Sequence, residues 1–100
     1  MGLTGREAVR KLSVTISSAT GTGTIAQKWD IARRIRCIPV AETDVYTFQI
    51  SDADGDIILK RESQTGTLSE NVDLSLGIAT TVTISAATQD GTYTVKFDMH

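Results

Sequence analysis

Residues 27–40 read QKWDIARRIRCIPV, and the fold turns on whether this stretch is a helix or a strand. Thr24 and Gln27 have capping-box spacing, and Ile31, Ile35 and Ile38 recur every three or four residues, so a short helix ending before Pro39 is one reading. Ile31, Ile35 and Cys37 also share one side of an extended chain, in an isoleucine-rich run flanked by turn residues. The strand is preferred, with Pro39 leading the chain out of it.

On either side of this segment the apolar period is two. Toward the N-terminus, KLSVTIS (11–17) puts Leu12, Val14 and Ile16 on one face and hydroxyl residues on the other. The following SATGTGT (18–24) reads as a loop, and no Gly-Lys-Ser/Thr follows to make it a phosphate cradle. Toward the C-terminus, Tyr46, Phe48 and Ile50 alternate with Thr47, Gln49 and Ser51. Residues 64–67 read as a loop, Val72, Leu74 and Leu76 alternate with polar residues, and Gly77 reads as a turn. Val82 and Ile84 follow, then a hairpin turn at 88–91, and Tyr93, Val95, Phe97 and Met99 close the series. This succession of about seven or eight short strands predicts an all-β protein, an antiparallel β-sandwich of jelly-roll or related Greek-key type. The expected organisation is an N-terminal arm or frayed end over 1–10 and a single sandwich domain over 11–100.

A chain of 100 residues suffices for one domain and buries roughly two thirds of its unfolded surface. Cys37 is the only cysteine, which excludes an intrachain disulfide and a cysteine-based metal cage. The start, MGLTGREAVRKL, has no apolar core of signal-peptide length, and no apolar run reaches the length of a membrane helix. The expectation is a soluble protein, neither exported by a leader nor bound to a membrane. The net charge of −2 is unevenly distributed along the chain. Residues 1–40 carry seven basic and two acidic side chains, and residues 41–100 carry three basic and ten acidic ones. Either the fold interleaves the two sets, or it presents a dipolar surface suited to contact between copies.

The chemistry-bearing candidates are few. ISDADGDII (50–58) sets Asp52, Asp54 and Asp56 around Gly55 between two apolar runs. An EF-hand starting at Asp52 needs glycine at its sixth position and Glu at its twelfth. Here glycine is fourth and the twelfth residue is Ser63, so the match fails. A hairpin with Asp54-Gly55 at its turn accounts for the same residues, while Asp52, Asp54 and Asp56, with Glu62, stay as candidates for a looser calcium site. No cofactor is expected. His100 is the only histidine and the last residue, which removes a catalytic triad, and Cys37 has no histidine to serve as its base. Carboxylate pairs such as Glu42 with Asp44, or Glu70 with Asp73, occur in any acidic β protein, so the chain is expected not to be an enzyme. Arg33, Arg34 and Arg36 form the candidate partner-binding set. In a regular strand Arg33 faces away from the other two. That split, the acidic balance and the shortage of aromatics argue against nucleic acid and for a solvated or protein-interface set.

The succession RKLSVTISSATGTGT (10–24), RRIRCIPVAETDVYTFQISDADGDII (33–58) and TVTISAATQDGTYTVKFDM (81–99) resembles the small β-sandwich virion proteins of tailed bacteriophages, especially capsid decoration or cement proteins. Similar textures occur in tail, fibre and head-tail junction components. The resemblance implies a non-enzymatic protein, made in the host cytoplasm and located on the virion surface. It would bind the major capsid protein or other virion proteins as a homo-oligomer, often a trimer. A calcium-assisted carbohydrate-binding module is the alternative from another class, with Trp29 as the one strong candidate for an aromatic platform.

Overall fold

Residues 9–99 are described by the computed structural model, with the side chains of 26–30 and 77–78 left aside. The chain forms six strands: β1 (Val9–Ile16), β2 (Gly21–Ile38), β3 (Val45–Ser51), β4 (Ile57–Thr65), β5 (Leu68–Ser85) and β6 (Gly91–Met99). All neighbouring pairs are antiparallel, in the order β1-β6-β2-β5-β3-β4. The segment 27–40 is therefore strand up to Ile38, as its isoleucine-rich pattern predicted.

β2 and β5, each 18 residues long, change partners midway. Residues 32–38 of β2 pair with β6 and with 68–74 of β5, while 21–25 of β2 pair with 80–84 of β5. β3 joins the second half of β5 only, at 81–85. Register shifts between Ile25 and Asp30 mark the place where the β2–β5 ribbon passes from one layer to the other. Counting each half of β2 and β5 separately gives eight segments in two antiparallel sheets. One has the order 1-8-3-6 and the other 2-7-4-5.

The alternating apolar residues meet between the layers. Val14 and Ile16 of β1, Ile35 and Cys37 of β2, and Tyr93, Val95 and Phe97 of β6 come from one sheet; Tyr46, Phe48 and Ile50 of β3 and Val82 and Ile84 of β5 come from the other. Each of these is buried, and their polar neighbours in sequence are more exposed, apart from the buried Ser51 that ends β3.

Several local expectations are corrected. The loop assigned to 18–24 shrinks to 17–20, because β2 begins at Gly21. Gly21 and Gly23 lie so close to β1 that an added Cβ would come within 2.4 Å of the Thr15 carbonyl oxygen and 3.0 Å of Leu12, respectively. The two glycines mark close packing of a strand. The turn assigned to Gly77 is instead strand interior, since β5 runs through it at the crossover. The hairpin assigned to 88–91 is a connection between sheets, because β5 and β6 do not pair; β3–β4 is the one hairpin among consecutive strands described. Strand structure starts at Val9, so Val9 and Arg10 belong to β1 and not to an arm, and residues 1–8 lie outside the described residues.

Candidate functional site

A bulge in β2 creates the most distinctive surface. Register shifts between Ala32 and Arg34 against both β5 and β6, so Ala32 and Ile35 are both buried, and Arg33 and Arg34 between them are both exposed. In a regular strand Arg33 would face the core, and Ile31 would share the buried side with Ile35. The extra residue corrects both expectations: Ile31 is 39% exposed and Arg33 is turned to solvent beside Arg34. The three arginines are thus not split between faces.

Asp98 of β6 binds two of them, Arg34 and Arg36. Arg34 Nε donates to Asp98 Oδ2 at 3.1 Å and Arg36 Nη2 donates to Oδ1 at 2.6 Å. Partial burial alone would raise the Asp98 carboxyl. The two arginine hydrogen bonds and charges outweigh it, so the group titrates below the ordinary carboxylate range. Arg33, Arg34, Asp98, Asn71, Val72 and Met99 line an open groove of about 610 Å³. Its floor is apolar at Val72 and Met99, and its rim carries guanidinium and amide donors suited to carboxylate-bearing or carbonyl-rich protein surface. The Arg34–Asp98 and Arg36–Asp98 pairs also join the basic first part of the chain to its acidic remainder. β1 and β2 interleave with β6 and β5, so charge that is segregated in sequence is mixed in space.

The acidic stretch forms the β3–β4 hairpin tip. Asp52 Oδ1 accepts from the backbone N–H of Asp54 at 3.0 Å and of Asp56 at 2.9 Å, and the Gly55 N–H donates to the Asp52 carbonyl at 3.0 Å. Gly55 has φ +88°, the conformation for which the Asp-Gly pair was read as a turn. Carboxylate oxygens of Asp52, Asp54 and Asp56 lie within 4.8 Å of one another. The turn accounts for Asp52 by its backbone bonds. Glu62 is on β4, where its carboxylate meets Lys60 Nζ at 3.3 Å.

Cys37 is fully buried, and desolvation pushes its thiol up to about 12, with a hydrogen bond from Tyr46 opposing the rise only in part. It sits in the core as a small apolar side chain on the same strand face as Ile35. Glu42 accepts from the Thr67 hydroxyl at 2.5 Å and the Thr67 N–H at 2.9 Å, which hold its carboxyl below the usual range, and Glu70 binds Arg61. One carboxylate of each candidate pair is thus engaged as a connector, Glu42 between two loops and Glu70 between β5 and β4. His100 and the side chain of Trp29 lie outside the described residues.

Sequence reasoning found the arginines and missed Asp98, Asn71, Val72 and Met99. Asp98 stands 62 residues from Arg36 and no local pattern links them; only the β2–β6 register does. No protein-family model matches the chain, and comparison with curated proteins gives no match.

Proposed function

We propose that this protein is a structural component of a virion, a decoration or cement protein that binds the major capsid protein on the shell of a tailed bacteriophage as a homo-oligomer. The observation that carries the reading is the segment order 1-8-3-6 facing 2-7-4-5. It supports the jelly-roll type, an architecture used repeatedly for capsid domains, and joins the textural resemblance of the sequence to those proteins. The mechanism is mechanical. Two 18-residue strands running through both sheets make the layers one stiff body. A body of that kind reinforces a shell by bridging subunits with many modest contacts multiplied by symmetry. The Arg33–Arg34 groove is the face assigned to the shell, because Arg34, held in place by Asp98, loses less freedom on binding than a free arginine, and Arg33 stands exposed beside it.

Mixing purified protein with empty shells and measuring sedimentation and heat resistance tests the role. Co-sedimentation with a raised shell disruption temperature is the expected result, weakened in Arg33→Glu; protein that stays in the supernatant and leaves the shells unchanged sinks the proposal.

A further inference from the structure

The chain contains two Asp-Gly dipeptides, Asp54-Gly55 and Asp90-Gly91. In this dipeptide the glycine amide meets little steric hindrance in attacking the preceding side chain. Both aspartates are exposed, but the fold treats them differently.

The Asp90 carboxylate is clamped. Oδ2 accepts from the Ser18 N–H at 3.1 Å and Oδ1 from the Ala19 N–H at 3.0 Å. Gly91 opens β6, opposite Ile16, and packs against Val40, where an added Cβ would come within 2.6 Å of Cγ2. Asp54 has neither restraint. Among the described residues no group donates to its carboxylate, and a Cβ built on Gly55 would meet nothing within 4 Å. The Gly55 N–H is held by one local bond, to the Asp52 carbonyl at 3.0 Å. Opening that bond disturbs only the hairpin tip.

We propose that Asp54-Gly55 is a site of spontaneous covalent modification, converting to isoaspartate in the folded protein, and that Asp90-Gly91 is protected by its clamp. The Gly55 amide nitrogen attacks Asp54 Cγ. The N–Cγ bond forms, the carboxyl C–O bond breaks, and the amide proton leaves with the hydroxyl as one water, closing a succinimide. Water then adds to one ring carbonyl. Attack at the side-chain carbonyl breaks its bond to nitrogen and restores aspartate. Attack at the main-chain carbonyl breaks the other C–N bond, so the chain continues through the former side-chain carbonyl and the α-carboxylate is left free. No oxidant or reductant is needed. The product inserts one carbon into the backbone between the Asp54 and Gly55 nitrogens, which displaces the turn centred on Asp52. It is also the substrate class of carboxyl methyltransferases that use S-adenosylmethionine.

Freeing Asp90 for ring closure costs two hydrogen bonds to a charged acceptor; losing even one corresponds to about a tenfold slower reaction. The experiment ages full-length protein at physiological temperature and mildly acidic pH, in native buffer and in denaturant. Isoaspartate is located by enzymatic methylation and peptide fragmentation. The expected result is isoaspartate at Asp54 at least about tenfold above Asp90 in the folded protein, comparable levels at both sites in denaturant, and loss of the native signal in Asp54→Glu. Equal levels at the two sites in the folded protein overturn the proposal. So does a native Asp54 that stays unmodified while the denatured chain reacts, and so does a native signal that persists in Asp54→Glu.

Discussion

Four connections meet at the end of the sandwich that holds Tyr46 and Tyr93, and they bind one another; at the opposite end the acidic hairpin tip, among the described residues, binds only itself. At the first end the Asp90 carboxylate holds the 17–20 turn, and the Ala87 N–H donates to the Ala19 carbonyl at 3.1 Å. Val45 and Thr88 exchange two bonds of 3.0 Å. Glu42 holds Thr67, and the Gly66 N–H reaches the Asp44 carbonyl at 2.9 Å. At the other end the described bonds of residues 52–56 run within the tip. The crossover of the β2–β5 ribbon lies beside Thr81, the partner of Ser51 at the base of the tip. The difference teaches a division of labour. One end ties the connections of the two sheets together, and the other carries the exposed carboxylates of Asp54 and Asp56.

Equivalent substitutions at the two ends break or sharpen this comparison. Gly66 and Gly55 both have positive φ, at +71° and +88°. At Gly66 a Cβ would lie 2.8 Å from the Glu42 carbonyl oxygen and its Oε1, whereas at Gly55 it meets open space. Gly66→Ala is expected to cost about 3 kcal/mol, because backbone strain and a clash add, and Gly55→Ala about 1 kcal/mol from strain alone. Denaturant unfolding of both variants measures this. Equal losses would show that the laced end confers no special rigidity.

Asp90→Ala comes next, at about 2 kcal/mol, since it leaves two backbone N–H groups of the 17–20 turn without their acceptor. Asp52→Ala removes the same number of bonds inside the hairpin tip and is expected to cost about half as much, because that backbone is free to turn to water. Thermal melts of the pair decide it.

The two tyrosines refine the picture within the laced end. Their rings meet edge to face, with centroids 5.1 Å apart. Burial pushes both hydroxyls up in pKa, yet only Tyr46 is tied: it donates to the Gly66 carbonyl at 2.8 Å, with the Cys37 carbonyl at 3.3 Å. The Tyr93 hydroxyl is buried and has no hydrogen-bond partner among the described residues. Tyr46→Phe is expected to lose about 1 kcal/mol and Tyr93→Phe to be neutral or slightly stabilising. Equilibrium unfolding separates them, and a larger loss at Tyr93 would contradict the assignment.

The strands were legible in the sequence because side-chain alternation is a local property. Leu12, Val14 and Ile16, or Tyr93, Val95 and Phe97, announce a buried face within seven residues. What could not be read is what depends on partners distant in sequence. Gly21 and Gly23 look like loop glycines until β1 is laid against them. Gly77 looks like a stop until the crossover is seen, and Arg33 looks inward until the bulge opposite β5 and β6 adds a residue. The same limit explains the site. The arginines are a cluster in sequence, but the carboxylate that binds Arg34 and Arg36 comes from the last strand, and the groove floor from Val72 of β5 and Met99 of β6.

The smallest expected effect compares one acid from each end. Glu42 is held below the ordinary range by Thr67 at the laced end, and Asp98 by Arg34 and Arg36 beside the groove. A carboxyl whose folded pKa lies below its unfolded value adds stability in full above the unfolded value of about 4, and loses it as pH falls through the folded value. Both groups therefore make the protein less stable in acid. Asp98→Asn flattens the pH dependence below about 4 and costs at most about 1 kcal/mol at neutral pH, because the ion pairs are partly exposed and screened by solvent. The Asp98 contribution rests partly on charge and is expected to shrink in high salt, whereas that of Glu42 rests on a hydroxyl and an N–H and is expected to persist. Unfolding curves for Asp98→Asn and Glu42→Gln from strong acid to neutrality, at low and high salt, read the two apart. A salt-insensitive Asp98 would mean that hydrogen-bond geometry, and not charge, holds the arginines over the groove.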